Sequence, residues 1–358
     1  MRLVSLRSIK PGNILGQTIY RENGTILLQN GVTISDRILE RLEAQGISYV
    51  YIEDESTNDI TTQSVISERL RQEAVSSLKK LFTNIRKGNL KASPHALDEE
   101  SRNITEVITK IKNDLDNHPE SISILTDIYL MNDYIYNHSL NVAIYSLAIG
   151  MKLGLNSKEL LELGKGAMLH DIGKVFIDSD IINKPTQLTV EEFEVMKSHT
   201  TIGYNLLRKT HTYSSLVAHC AYQHHERLNG SGYPRGLKEN EIHLFAQIIG
   251  VADVFDAMTS NRVYKKALLP HEAMEFLYSA AVNQFDKKVV EAFKSSVAIY
   301  PNGITVELND KRQGIVISQN KNICDRPIIR IEKDGSSEVT AYEVDLSKEL
   351  NLTIINCY

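Results

Sequence analysis

Apolar and polar positions along this chain change period twice, and the changes divide it. From Leu15 to Glu53 the signals are mixed: alternating ILGQTIY, an Asn23-Gly24 hairpin signal and TILLQNG predict two short strands. Thr33 or Ser35 then caps a helix carrying Ile38, Leu39 and Leu42 on one side, and Gly46 closes it before a strand in ISYVYIE. Polar ESTNDITTQ reads as a linker that ends a small α/β module over 1–62. A helical linker over 63–120 follows, with helices predicted at about 64–86 and 103–116 and loop chemistry in KGNLKASPHALDEESRN between them. From 121 to 296 the period is helical almost throughout. Helices are predicted at 134–153 and 157–169, from the Thr189–Glu192 capping box to about 208, and at 214–226, 244–258 and 271–282. After Tyr300 the period becomes two, and ITVEL, GIVIS, PIIRI, YEVDL and LTIIN predict a small β module over 297–358. The fold class is therefore multidomain and mainly α: an all-helical bundle flanked by a small N-terminal α/β module and a small C-terminal β module.

Composition narrows the function. The 358 residues, 42% apolar and 24% charged, describe an ordinary globular protein. A formal charge of -5 argues against a nucleic acid polymer as partner and leaves small molecules and proteins. Cys220, Cys324 and Cys357 are too widely spaced for a disulfide framework or a CxxC site. MRLVSLRSIKPGN lacks the apolar core of a signal peptide, and no apolar run approaches the roughly 20 residues of a membrane span, so a cytoplasmic location is expected.

Candidate chemistry lies in the helical region. His170 and Asp171 are adjacent in GAMLHDIGK; neighbours on a helix are about 100° apart, so both reach one ion only if it sits off that helix's flank. Alone, the pair also fits a solvated helix end. It has company: His138 on the preceding helix, His199 and His224-His225 on later ones, and Asp253 in the apolar GVADVFDAM, where an unpaired carboxylate is costly to bury. Five imidazoles and two carboxylates without cysteine make a mixed nitrogen and oxygen donor set suited to Fe, Mn, Ni, Co or Zn. Asp171 can bridge two ions, and a pair of ions about 3.5–4 Å apart suits phosphoester hydrolysis. The remaining histidines, His95, His118, His211, His219, His243 and His271, read as surface or capping residues.

HDIGK, the isolated His199 and HHERLNGSGYP together resemble the HD-GYP family, a branch of the HD phosphohydrolases that cleaves cyclic di-GMP. The resemblance covers about 121–296 and extends through YIYNHSLNVA, KSHTTIGYNLL and AQIIGVADVFDAMTSNRVY. It implies an HD-type catalytic bundle, two or three divalent metal ions with Fe or Mn foremost, a cyclic dinucleotide substrate, and hydrolysis to linear pGpG and onward to GMP. By that resemblance His138, His170, Asp171 and Asp253 form the older metal set with Asp171 as the bridge, and His199, His224 and His225 hold the second ion. Lys174 is implied as the cation at the scissile phosphate or leaving oxygen; a charge paired with a helix C-terminus is its plainer reading. Gly230, Gly232, Tyr233 and Pro234 shape a loop beside the substrate. Arg235, Arg262 and Lys184 are candidates for phosphate or guanine contacts, with surface ion pairs as the alternative. Where some members carry a glutamate four residues before the first histidine, supporting a third metal, this chain has Tyr134, which favours two ions and pGpG as product. Two other readings stay open: a phosphodiesterase for 3′,3′ cyclic GMP-AMP or another nucleotide, and a low-activity cyclic di-GMP sensor. The apolar stripes over 63–120 offer a homodimer face, or plain packing.

Overall fold

Short apolar stretches at the two ends of the chain fold onto each other, leaving the long helical segment to build its own core. A computed structural model describes residues 1–20, 25–45, 47, 49–60, 66–87, 94–117, 134–210, 212–260, 268–281, 283–320, 323–335 and 337–357. The N-terminal module comprises β1 (Arg2–Ser5), β2 (Ile19–Tyr20), β3 (Ile26–Leu28), α1 (Asp36–Ala44) and β4 (Tyr49–Ile52). Ser35 is the cap of α1, its side chain accepting the Ile38 N–H. The closing glycine, Gly46, and the Asn23-Gly24 hairpin signal lie outside the described residues.

The two short strands expected over ILGQTIY and TILLQNG form as β2 and β3, paired antiparallel, and Ile14 and Leu15 ahead of β2 make isolated bridges to Thr33 and Ile52. The described part of ESTNDITTQ, the segment read as a linker, is anchored: Asp54 caps the turn Glu55–Thr57, Thr57 is fully buried, and Asp59 pairs with Arg330. Strand β1 was not expected from the sequence. It is held by pairing with β4 and by the Leu3 N–H donating to the Gly303 carbonyl at 2.9 Å, partners about 50 and 300 residues away.

The helices are α2 (Glu68–Arg86), α3 (Pro94–Asn117), α4 (Tyr134–Lys152), α5 (Ser157–Leu169), α6 (Ser179–Ile182), α7 (Val190–Thr210), α8 (Ser215–Gln223), α9 (Leu244–Thr259), α10 (Pro270–Ala280) and α11 (Lys287–Lys294). Helix α3 begins nine residues before its predicted start: Pro94 suits a first turn, and Ile104, Val107, Ile108, Ile111 and Leu115 anchor it in the core. One continuous apolar core runs from Ile66 to Ile299, so the stripes of α2 and α3 that offered a dimer face are covered within the chain. Asn156 caps α5 with Glu159 in a reciprocal capping box, and Thr189 and Glu192 form the same pair at α7.

The five predicted C-terminal strands form: β5 (Thr305–Leu308), β6 (Arg312–Ser318), β7 (Ile328–Asp334), β8 (Ser337–Asp345) and β9 (Ile354–Cys357). They make one antiparallel sheet in the order β8-β7-β6-β5-β9. Leu3 and Tyr51 of the N-terminal module share its buried core with Ile304, Val306, Ile329 and Ile331. Arg330 joins the two ends again, donating to both Asp59 carboxylate oxygens at 2.9 and 2.5 Å. Among the described residues, no helix is long and apolar enough to cross a membrane.

Candidate metal centre

Helix ends explain how adjacent residues serve one site. Helix α5 stops at Leu169, His170 is its C-terminal cap, and Asp171 at φ -98°, ψ 8° opens a tight turn over Ile172–Phe176. The chain thereby leaves helical geometry between the two side chains, and both face inward. Gly173 allows the turn to lie on α7: a Cβ there would stand 1.9 Å from the His199 carbonyl oxygen. Helix α8 ends in the same way, with His224 as its cap.

The structure brings together all seven residues implied as ligands. Asp171, 1% exposed, lies between two groups and turns one oxygen to each. Its Oδ2 is 3.3 Å from His170 Nε2 and 3.6 Å from His138 Nε2; its Oδ1 is 3.3 Å from His199 Nε2 and 3.8 Å from His224 Nε2. Asp253 connects the sets, with Oδ1 3.1 Å from His138 Nε2 and Oδ2 3.7 Å from His225 Nδ1. Lys174 Nζ, at the rim, contacts Asp171 Oδ2 at 2.5 Å.

Backbone and carboxylate partners orient the rings. His170 Nδ1 lies 2.6 Å from the Ala167 carbonyl, His199 Nδ1 2.6 Å from that of Met196, and His224 Nδ1 3.1 Å from those of Cys220 and Ala221. His138 Nδ1 is 2.7 Å from Asp256 Oδ2. A proton at each Nδ1 turns the Nε2 lone pair toward the cluster, the arrangement in which partners fix a ligand's tautomer. Electrostatics agree. Burial holds His199 down to about 4 and His224 and His225 well below the usual imidazole range. At His138 burial acts downward too, but Asp253 and Asp256 outweigh it and bring the ring up to about 9, so a cation displaces a proton there. Burial favours a neutral Asp171, yet Lys174 and His170 keep its carboxyl well below the usual carboxylate range. Among the described residues, buried His170 Nε2 and Asp171 Oδ1 have no hydrogen-bond partner, a costly condition that a cation in each of the two groups would relieve. The residues present therefore fit a metal centre.

The Gly-Tyr-Pro loop forms one wall. Tyr233, joined to Pro234 by a cis peptide bond, stacks on His225 with ring centres 4.6 Å apart. Glu226 accepts the Arg235 and Leu237 N–H groups at 2.8 and 2.9 Å and folds the loop back. Gly232 must be glycine for this fold, since a Cβ would stand 2.4 Å from the His225 carbonyl oxygen. The half-exposed Phe193 ring meets Tyr233 edge to face at 6.1 Å. Pro234 and Arg235 are exposed. Lys184 sits in an ion pair with Glu192 at 2.6 Å, its plainer alternative. Arg262 lies outside the described residues, as does the side chain of Tyr134, which opens α4. His243 caps α9 as a capping histidine should, its Nδ1 accepting the Phe245 N–H at 3.1 Å.

Sequence reasoning missed Asp256, which is 1% exposed, and Asn141, whose Nδ2 donates to Asp256 Oδ1 at 2.9 Å. The available signal was a second carboxylate one turn beyond Asp253 in an otherwise apolar helix.

Fold and site together define a mainly helical protein whose central all-helical bundle carries a paired histidine and aspartate metal centre, flanked by two small strand-bearing modules. The HD domain family matches residues 93–289, more than half of the chain, and the chain belongs to that family. Residues 305–358 match a KOW domain associated with the HD domain. The cyclic di-GMP phosphodiesterase PA4108 of Pseudomonas aeruginosa is 33% identical over 72% of this chain and 60% of that protein. A cyclic di-GMP phosphodiesterase of Thermotoga maritima is 37% identical over 66% of this chain and 64% of that protein. A 3'3'-cGAMP-specific phosphodiesterase 3 of Vibrio cholerae is 33% identical over 48% of this chain and 37% of that protein. The chain thus spans less than two thirds of the length of these relatives.

Proposed function

We propose that this chain is a metal-dependent phosphodiesterase that hydrolyses cyclic di-GMP to linear pGpG. The observation that carries the reading is Asp171, whose two oxygens face two separate histidine groups. His138, His170, Asp171 and Asp253 would hold one divalent ion, and Asp171, His199, His224 and His225 the other, Fe or Mn suiting this donor set. When bound, two such ions lower the pKa of water and neutralise charge on the attacking and leaving oxygens. The chain's own part is placement. Tyr233 on His225 walls the site, and Phe193 extends that wall outward. Lys174, 18% exposed beside Asp171, is the ammonium placed to meet a phosphate oxygen or to protonate the departing ribose oxygen.

The test is a product assay on Mn- or Fe-loaded protein with cyclic di-GMP, 3′,3′ cyclic GMP-AMP and pGpG as separate substrates. Cyclic di-GMP should give pGpG, and Asp171→Ala should abolish turnover and lower bound metal. Intact cyclic di-GMP at confirmed metal occupancy would overturn the reading, as would normal turnover by Asp171→Ala. The Vibrio cholerae relative supports a second reading, cyclic GMP-AMP as preferred substrate, and the same assay decides it by the ratio of kcat/KM values.

A further inference from the structure

Arg71 lies in the first turn of α2, outside the residues that match the HD domain, yet it is only 4% exposed. A guanidinium so buried is costly unless hydrogen bonds lead its charge toward a counter-charge. Its Nη1 donates to Asn141 Oδ1 at 3.1 Å, and the same amide donates from Nδ2 to Asp256 Oδ1 at 2.9 Å. Asp256 Oδ2 in turn meets His138 Nδ1 at 2.7 Å, with Ser260 Oγ donating to that oxygen at 3.2 Å. Asn141 stands three residues after His138, so amide and ring share a face of α4.

We propose that Arg71 is a positioning residue for the metal centre. A side-chain amide has two orientations of nearly equal shape with donor and acceptor exchanged. A guanidinium at Oδ1 selects the one in which Nδ2 meets Asp256; the other sets a carbonyl oxygen against a carboxylate. Held in this way, Asp256 takes the His138 Nδ1–H and keeps Nε2 turned to the cluster. The Phe82 ring packed edge to face on Tyr136, centres 5.4 Å apart, holds α2 on α4. The helix that follows the N-terminal module in the chain is therefore part of the support of one metal ligand.

The test is calorimetric titration of Mn²⁺ into the metal-free full chain, unmodified and as Arg71→Met, Arg71→Lys, Asn141→Leu and the double Arg71→Met/Asn141→Leu. The second measurement is solvent exchange of the His138 Nδ1–H proton by NMR. Arg71→Met should weaken one ion about tenfold, the lower end of what partners of ligating imidazoles contribute, and leave the other unchanged. Arg71→Lys should recover part of the loss, the His138 proton should exchange faster in Arg71→Met, and the double variant should lose no more than the worse single one, since both break one chain. Unchanged affinity with unchanged exchange overturns the inference, and so do additive losses. The inference rests on reading the cluster as a metal centre. Its two measurements use no nucleotide, so an inactive phosphodiesterase leaves them decisive. If the unmodified chain bound no metal, the proposed function would fall and the His138 proton would still decide whether Arg71 reaches that ring.

Discussion

At the residue scale the site depends on close approaches as much as on ligands. Gly173 lets the turn after Asp171 rest on α7, and no side chain fits there. Gly173→Ala should cost about 3 kcal/mol, the upper end of overpacking penalties. It should also reduce metal uptake, because the turn and His199 are pushed apart; urea unfolding and metal analysis check both. Full stability with full metal would show that the contact is easily relieved. The histidines and aspartates of the cluster were legible in the sequence because their residue types are unusual in apolar helices. Asp256 and Asn141 were not, since their roles exist only through a ring from another helix.

At the element scale, helix ends place the chemistry and chain ends place the modules. His170 and His224 both occupy C-terminal caps, where the backbone can change direction and turn consecutive side chains inward. Caps were readable at α5 and α7 because they are local, whereas β1 was not, because its partners are β4 and the C-terminal sheet. The Asp59–Arg330 pair can be tested by pH. Its hydrogen bond from Arg330 depresses the Asp59 carboxyl to about 2. A depressed carboxylate contributes stability above its unfolded pKa, near 3.9, and loses it as pH falls through the folded value. The pair is largely exposed on the Asp59 side, so its contribution stays below about 1 kcal/mol. Arg330→Met should therefore lower Tm slightly at pH 6 and converge with the unmodified chain near pH 2. A constant difference across that range would assign the effect to packing of the arginine stem.

On the scale of the whole molecule, the metal centre lies among α4, α5, α7, α8 and α9, and filling it should stabilise the assembly. A ligand that binds only the folded state at 100 times its Kd adds about 2.7 kcal/mol per site. Removing metal by chelation should thus lower Tm by several degrees, reversibly on adding Mn²⁺, as followed by calorimetry. Elemental analysis should find about two ions per chain, since the ligating atoms fall into two groups sharing Asp171. A stoichiometry of three would mean that Tyr134 does not limit the centre as its place in the sequence suggests.

By itself the sequence determined the helical and strand periods, the caps of α1, α5 and α7 and the identities of the seven clustered histidines and aspartates, because period, cap and residue type are local properties. Only the tertiary structure decided which oxygen of Asp171 meets which histidines, that Asp256 and Arg71 stand behind His138, and that the two ends of the chain share one core. Those are relations between atoms tens to hundreds of residues apart, such as His138 and Asp256 or Leu3 and Gly303, and they exist only once helices and strands have packed.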